Sequence, residues 1–375
     1  MTRVFVNGIS AKSGGGRSIL TNFLKVARSR DDAFSYVVAV PAMDGYADLA
    51  NERVSLVPMG RQSSNVLVPL ASVGTLPQLI RRARCDLLFN LSDIPVATRV
   101  RQVFLFDWPY AAFPQSRAWQ LSTAKDRVVR NAKLFFFKRL LPYVDVMIAQ
   151  NDVLAEQLRL NYGLRDIHVI PNSVSVDNLG GGVERNFELG DGFKFLCLSR
   201  YYSHKNLELF VPLAEKFKAA GLKVKIVITI SPEDGPGAKA LLSEISNRRL
   251  SEIIINLGTV SMDHVPSLYK QTDALLLPTL LESFSGTYVE AMYHRRPIFT
   301  SDLPFAKGVC GSAAFYFDPD DAGATFDCLQ AALEHPEKMS AKADAAARLR
   351  DTMPTWEDAY DAYSQAFLTS IRSGE

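Results

Sequence analysis

With 375 residues, 47% hydrophobic and 22% charged, the chain exceeds one ordinary core and is too apolar for disorder, so two domains are expected. No apolar run approaches the ~20 residues that span a bilayer, and the opening MTRVFVNGIS turns polar too soon for a signal sequence, so a cytoplasmic protein is expected. The net charge is only +2, yet residues 1–150 hold 20 Lys and Arg against 10 Asp and Glu, and residues 151–375 hold 22 against 30; the two halves face different partners, or one half faces an anionic surface.

In chain order, short β-rich runs alternate with longer amphipathic segments. The first series is VFVNG, the helical SILTNFLKVARS, FSYVVAV, RVSLVPM, DLLFN, QVFLF, DVMIAQ and IHVIPNSV. A second series starts afresh with FKFLCLS and continues through KVKIVITI, EIIINLG, DALLLPT and RPIFTS, with helices such as NLELFVPLAEKFKAAG and GAKALLSEISNRR between. Apolar strands separated by helices predict parallel sheets covered on both faces. The Gly-rich, polar stretch SVSVDNLGGGVERNFELGDGF separates the two series. The expected division is a domain over 1–175, a linker over 176–192, a second domain over 193–354, and a last helix over 355–375 that crosses back to the first. The architecture is α/β, two doubly wound domains whose ligand cleft lies at strand carboxyl ends. Cys85, Cys197, Cys310 and Cys328 show no CxxC spacing, so free thiols are expected and no metal site.

Two places concentrate chemistry. FKFLCLS leads to Arg200, and Lys205 stands at the start of the next helix in SRYYSHKNLELF. Cations at a strand end and helix N-terminus make an anion site, although solvated surface cations are their commonest role. Further on, LESFSGTYVEAMYH sets Glu282 and Glu290 eight residues apart around a helix start near Ser285. The backbone N–H groups of Phe284, Ser285, Gly286 and Thr287 are then open to oxygen ligands, or Ser283 or Ser285 caps them internally. A carboxylate accepts from two adjacent hydroxyls, as a ribose or hexose offers. Two carboxylates flanking a phosphate-friendly helix end suggest a nucleotide sugar.

ESFSGTYVEAM resembles the E-x7-E signature of retaining glycosyltransferase family 4. LSRYYSHKN resembles the family's donor-phosphate Arg and Lys, and the likeness extends over IIINLGTVSMDHVPSLYKQTDALLLPT and RPIFTSDLPFAKGVCGSAAFYFDP. The resemblance implies the GT-B fold, two Rossmann-like domains with the donor in the interdomain cleft. It implies that Arg200 and Lys205 hold the donor diphosphate as leaving group, that Glu290 binds the nucleotide ribose, and that Glu282 binds the transferred sugar. Fixed cations where charge appears on a departing phosphate lower the barrier whatever the family. Gly14, Gly15 and Gly16, between the first strand and its helix, resemble the family's glycine-rich loop; GKS or GKT is missing, so this is not a P-loop.

The chain also departs from the family pattern. Many members carry an N-domain His after a strand. Here VFLFDWPY sets Phe106 at that place, and His168, His204, His264, His294 and His335 all lie beyond residue 150. Asp107 and Trp108 stand as sugar or acceptor contacts, or as a strand-end turn. Ser283 and Ser285 replace the usual glycines, and Gly308 stands where relatives often show an acid. Asp318-Pro319-Asp320 spells a DxD metal motif but reads as a turn. AKDRVVRNAKLFFFKRLLPYV interleaves Lys125, Arg127, Arg130, Lys133, Lys138 and Arg139 with apolar residues. It reads as a helix lying on an anionic membrane, or as one packing its Phe side chains on the sheet.

The expectation is a retaining, metal-independent hexosyltransferase without a cofactor. It takes a nucleoside diphosphate sugar, GDP- or dTDP-activated and mannose- or rhamnose-like, to a glycan or lipid-linked glycan acceptor of surface polysaccharide such as lipopolysaccharide. The basic first domain would sit peripherally on the inner membrane, and no nucleic acid is bound, since no recognition motif accompanies the charge. The alternatives are a UDP-sugar enzyme acting on a soluble metabolite and a non-catalytic GT-B subunit that binds glycan or a partner.

Overall fold

The computed structural model describes residues 1–173 and 181–372. The chain divides into two compact units, each built on a wholly parallel sheet. The first unit comprises Met1–Pro114, Ser122–Ser173 and the segment from Pro354 onward; the second takes Gln115–Leu121 and the described residues up to Met353.

The first sheet holds β1 (Thr2–Asn7), β2 (Phe34–Val40), β3 (Val54–Pro58), β4 (Leu87–Asn90), β5 (Arg101–Leu105), β6 (Val146–Ala149) and β7 (Ile167–Val169), in the order β3-β2-β1-β4-β5-β6-β7. Register is set by the apolar runs: Val4 pairs with Tyr36 on one side and Leu87 on the other. Strands buried on both faces need helices above and below. The helix Gly14–Ser29 supplies Ile19, Leu20, Phe23, Leu24 and Ala27 to one face. The last helix, Trp356–Arg372, packs beside it through Tyr360, Tyr363 and Phe367. Tyr360 makes a 2.6 Å hydrogen bond to the Tyr36 hydroxyl, which satisfies two polar atoms that burial would otherwise penalise. Helix limits follow local chemistry. Asn151 accepts the Leu154 N–H to start Asp152–Tyr162, and Gly163 ends it in the left-handed region, φ 67°.

The second sheet holds β8 (Phe193–Cys197), β9 (Val224–Ile228), β10 (Ile254–Asn256), β11 (Ala274–Leu277), β12 (Ile298–Ser301) and β13 (Ala314–Phe317), in the order β10-β9-β8-β11-β12-β13. Strand order therefore reverses between β1 and β4 in one sheet and between β8 and β11 in the other. In such sheets the loops at the reversal diverge and leave a crevice outside the strand carboxyl ends.

Of the linker expected over 176–192, residues 176–180 lie outside the described residues. The rest is docked on the second unit: Val183 N–H donates to Asp263 O, and Phe187 N–H to Gln271 Oε1. Cys85, Cys197, Cys310 and Cys328 are all free thiols.

The helix read as either membrane-lying or sheet-packing spans Ala124–Leu140. Phe137 is buried among Phe104, Phe106, Trp108 and Tyr162, whereas Phe135 points outward. Two of its cations turn inward. Lys133 pairs with Asp93 at 2.5 Å, and Arg130 lies 4.1 Å from the Tyr110 ring centroid.

Candidate functional site

β8 and β11 are hydrogen-bonded neighbours at the reversal of the second sheet. The loop after β8 carries Arg200 and Lys205. The loop after β11 carries Thr279, Glu282 and Ser283 into the helix Gly286–Tyr293, which presents Glu290. Hydrogen-bonded strand neighbours thus bring together residues about 80 positions apart in sequence.

Lys205 Nζ is ion-paired with Glu282 Oε1, and both side chains are largely enclosed. The Thr279 hydroxyl donates to the same carboxylate oxygen at 3.0 Å. Burial by itself would raise the Glu282 pKa, but Lys205, His204 and the two hydrogen bonds outweigh it and hold the carboxyl below its ordinary range. The site therefore keeps a fixed cation and an ionised carboxylate side by side.

Lys205 stands just ahead of a helix start, as expected. It ends a 3-10 turn, Ser203–Lys205, and after Asn206 a second 3-10 turn, Leu207–Leu209, runs directly into the α-helix Phe210–Ala219. Asn206 separates the two turns in the left-handed region, φ 56°, and its side chain donates to Pro319 O at 2.8 Å.

Arg200 is half exposed, and its Nε and Nη2 both lie 2.8 Å from Asp234 Oδ1. Asp234 is buried and also accepts the N–H groups of Tyr201 and Ser231 at 3.1 Å each. Burial pushes its pKa up, but the two backbone N–H groups and Arg200 push it further down. Three donors to one carboxylate fix the guanidinium and leave its outer edge free to meet an anion.

The helix Gly286–Tyr293 begins where expected, after Ser285. Ser285 makes no capping bond; its hydroxyl meets Thr287 Oγ1 at 2.8 Å instead. Ser285 sits at φ 63°, ψ 98°, a costly conformation for a residue with a Cβ. Phe284 is buried and anchors the turn. Glu290 is partly buried, and burial lifts its pKa to about 7 despite the hydrogen bond from the Tyr269 hydroxyl at 3.2 Å. The same hydroxyl reaches Thr287 O at 3.3 Å. His294 stacks on the Tyr269 ring, centroids 4.8 Å apart, and burial lowers its pKa to about 4, so it is neutral at physiological pH.

In the first unit, Gly14, Gly15 and Gly16 form the first turn of the helix after β1, with Gly14 at φ 61°. A Cβ on Gly15 would lie 4.0 Å from Asp107 Oδ2, so this loop and Asp107 adjoin. Gln150 Nε2 donates to Asp107 Oδ1 at 2.7 Å, and Asn172 donates to Gln150 Oε1 at 2.7 Å. Trp108 is buried against Phe137, and Phe106 is fully buried beside it. Position 106 faces the core, so the polar side chain at this strand end is Asp107.

Asp318-Pro319-Asp320 is a turn, as expected. Asp318 accepts the Asp320 N–H, and Asp321 caps the helix Ala322–Leu333. Asp320 is ion-paired with Arg117. Asp234, Tyr269, Thr279 and Gln150 escaped the sequence reading. Asp234 had a local signal, a Ser231-Pro-Glu-Asp capping box; the others are ordinary core-run residues.

Residues 184–350 match the family model of glycosyl transferases group 1. The match lies within the second unit and covers the site just described. Among curated proteins, the chain is 28% identical over 127 residues to the O-antigen chain mannosyltransferase RfbU of Salmonella typhimurium, 34% of this chain and 35% of that one. It is 24% identical over 169 residues to alpha-D-kanosaminyltransferase of Streptomyces kanamyceticus, 44% and 43% of the two chains. The chain thus spans less than half the length of these curated relatives. Solved structures are alike over the whole chain. Sucrose-phosphate synthase from Thermosynechococcus elongatus superposes with a TM-score of 0.75 at 12% identity, covering 100% of both chains. Anabaena Alr3699/HepE in complex with UDP-glucose superposes with 0.71 at 16% identity, covering 98% of this chain and 100% of that one. These likenesses show the fold, two Rossmann-like α/β units of the GT-B type.

Proposed function

We propose that the protein is a glycosyltransferase, retaining and metal-independent, that moves a hexose from a nucleoside diphosphate sugar. The observation that carries the reading is the Lys205–Glu282 pair at the reversal of the second sheet, with Arg200 fixed by Asp234 on the loop that also carries Lys205. Arg200 and Lys205 take the diphosphate and stabilise the charge that develops on it as the sugar leaves. Glu282 accepts the hydroxyls of the transferred sugar and favours positive charge at its anomeric carbon. The open backbone N–H groups at the start of Gly286–Tyr293 take donor oxygens, and Glu290 accepts the ribose hydroxyls. Arg200, Lys205 and Glu282 are the catalytic set; Glu290, the 283–287 turn and the Gly14–Gly16 loop bind the donor; Asp107 meets sugar or acceptor. The departing phosphate can take the acceptor proton, so no protein base is needed.

A GDP- or dTDP-activated, mannose- or rhamnose-like donor and a lipid-linked surface glycan acceptor are the preferred substrates; the likeness to an O-antigen chain mannosyltransferase supports them. One specific finding favours a second reading, a UDP-sugar enzyme acting on a soluble metabolite: the likeness in fold to Anabaena Alr3699/HepE, whose structure holds UDP-glucose. The test is a thermal-shift screen of the whole chain against GDP, dTDP, UDP and ADP with their sugars. A nucleotide that binds the folded form raises its melting temperature by mass action, by about 2.7 kcal/mol of stability at a hundredfold excess over Kd. The expected result is a shift with one nucleotide that Lys205→Ala and Glu290→Ala abolish. No shift with any nucleotide would overturn the transferase reading in favour of a non-catalytic binding subunit.

A further inference from the structure

Three neighbouring strands of the first sheet end in polar side chains that join into one row. β5, β6 and β7 lie side by side, with Leu105 in register with Ile148 and Ala149 with Val169. The ladder runs on past them, Phe106 N–H to Ile148 O and Ile170 N–H to Ala149 O, both 2.9 Å. Parallel pairing therefore sets Asp107, Gln150 and Asn172 at the same end of the sheet. Gln150 is fully buried, and its amide can face only one way. Its nitrogen donates to two acceptors, Phe106 O at 3.2 Å and Asp107 Oδ1 at 2.7 Å, and its oxygen accepts from the Asn172 amide at 2.7 Å. A turned amide would set oxygen against both acceptors and nitrogen against a donor.

A second amide row in the same sheet is wholly internal. Asn7, Asn90 and Gln102 are fully buried and linked at 2.9 and 2.8 Å, and Gln102 closes the row on Val96 O and Tyr143 O. The Asp107 row does not close in this way. Asn172 is buried, yet its Oδ1 has no hydrogen-bond partner among the described residues. A buried acceptor left unpaired costs stability, and such a cost is retained where an orientation serves a site. At the other end Asp107 is half-buried, and its Oδ2 lies toward the glycine loop. A Cβ on Gly15 would stand 4.0 Å from that oxygen, and one on Gly14 would meet nothing within 4 Å, so the space beside these glycines is open.

We propose that Gln150, set by Asn172, is a positioning residue that aims Asp107 at the glycine loop, where the carboxylate takes the hydroxyls of a sugar. The inference rests on the transferase reading and deepens it by giving two residues of the first unit a part in the reaction. A carboxylate accepts from two adjacent hydroxyls well only when its plane is held, and a rigid amide donating to Oδ1 holds it. The titratable groups on the elements around Asp107 are Lys12 of the loop after β1, the Lys133–Asp93 pair beside Trp108, and Tyr363 of the last helix.

The experiment is nucleoside diphosphate release by the full chain from GDP-mannose, dTDP-rhamnose and UDP-glucose, with methyl mannoside as the acceptor probe. Gln150→Glu keeps the shape and the bond from Asn172 but sets two carboxyl groups at the 2.7 Å that the amide now spans. Such a pair shares one proton and gives it up only as pH rises. With that proton, residue 150 still donates to Asp107; without it, two like charges drive Asp107 from its place. The ratio of Q150E to wild-type kcat, in which titration of Glu290 cancels, should fall about tenfold between about pH 5.5 and about pH 8.5. Asn172→Asp lets the Gln150 amide turn and should lower kcat about tenfold across the same range. Stabilisation by GDP, dTDP or UDP alone should stay as in the wild type, which also reports that the variants fold. A raised KM supports the proposal and assigns the hydroxyls, to the donor if it is for the nucleotide sugar and to the acceptor if it is for methyl mannoside. A Q150E ratio that does not change with pH, or an Asn172→Asp protein as active as the wild type, would overturn this proposal alone. A wild type silent with every donor would overturn the transferase reading and this proposal with it.

Discussion

Replacing Glu290 by Gln is expected to make the protein more stable at alkaline pH and less able to hold a nucleotide. Burial raises the Glu290 pKa from its ordinary 4.5 to about 7, with the Tyr269 hydrogen bond opposing. The folded state therefore holds this proton more tightly than the unfolded chain does. The stability linked to it is fully present below pH 4.5 and is lost as pH rises through 7, where a desolvated carboxylate must ionise. An offset of that size corresponds to ~3 kcal/mol, and the partial exposure of the side chain reduces it to roughly 1–3 kcal/mol. Gln keeps the shape and can still bond Tyr269, but carries no charge. Urea unfolding at about pH 8.5 should show E290Q more stable by that amount, and at about pH 5 the difference should fall below about 1 kcal/mol. Nucleotide affinity of the wild type should rise about tenfold between about pH 6 and about pH 8, as the ionised fraction climbs from about a tenth to about nine tenths. E290Q should bind weakly with a flat pH profile. Equal stability of the two proteins at alkaline pH would refute the burial argument, and undiminished nucleotide binding by E290Q would refute its role as a ligand for hydroxyls.

Lys205→Ala leaves the enclosed Glu282 carboxylate without its cation and should cost about 3–5 kcal/mol of stability, while Lys205→Met with Glu282→Gln should recover most of it; chemical denaturation of the three proteins checks both. Asp234→Ala removes the acceptor that orients Arg200 and should weaken nucleoside diphosphate binding by about 2 kcal/mol in calorimetry, although residue 234 is not itself expected to touch the ligand. Ser285→Val puts a β-branched side chain at φ 63° and should lower stability by about 1–3 kcal/mol in thermal unfolding.

The two parallel sheets were legible from the chain because a strand buried on both faces reads as an unbroken apolar run whatever surrounds it. VFVNG, FSYVVAV, FKFLCLS and DALLLPT are such runs, and each is a strand at or beside a reversal of strand order. The helix start after Ser285 was equally legible, since small polar residues ahead of an apolar helix mark it locally. The E-x7-E pair and the Arg and Lys after FKFLCLS could be picked out by spacing and residue type.

Other features belonged to the tertiary structure. The Asn206 side chain beside Lys205 donates to Pro319 O, more than a hundred residues away. Asp234 reads as a capping acid, and only the pairing of β8 with β9 brings it to Arg200. Phe135 and Phe137 are alike in sequence; one is buried and the other exposed because helical geometry turns residues two apart by about 200°. Local signals are set by neighbours within a few residues, so composition, periodicity and caps carry them. A side chain's partner is set by the order of strands in a sheet, and that order is settled only when the whole domain packs.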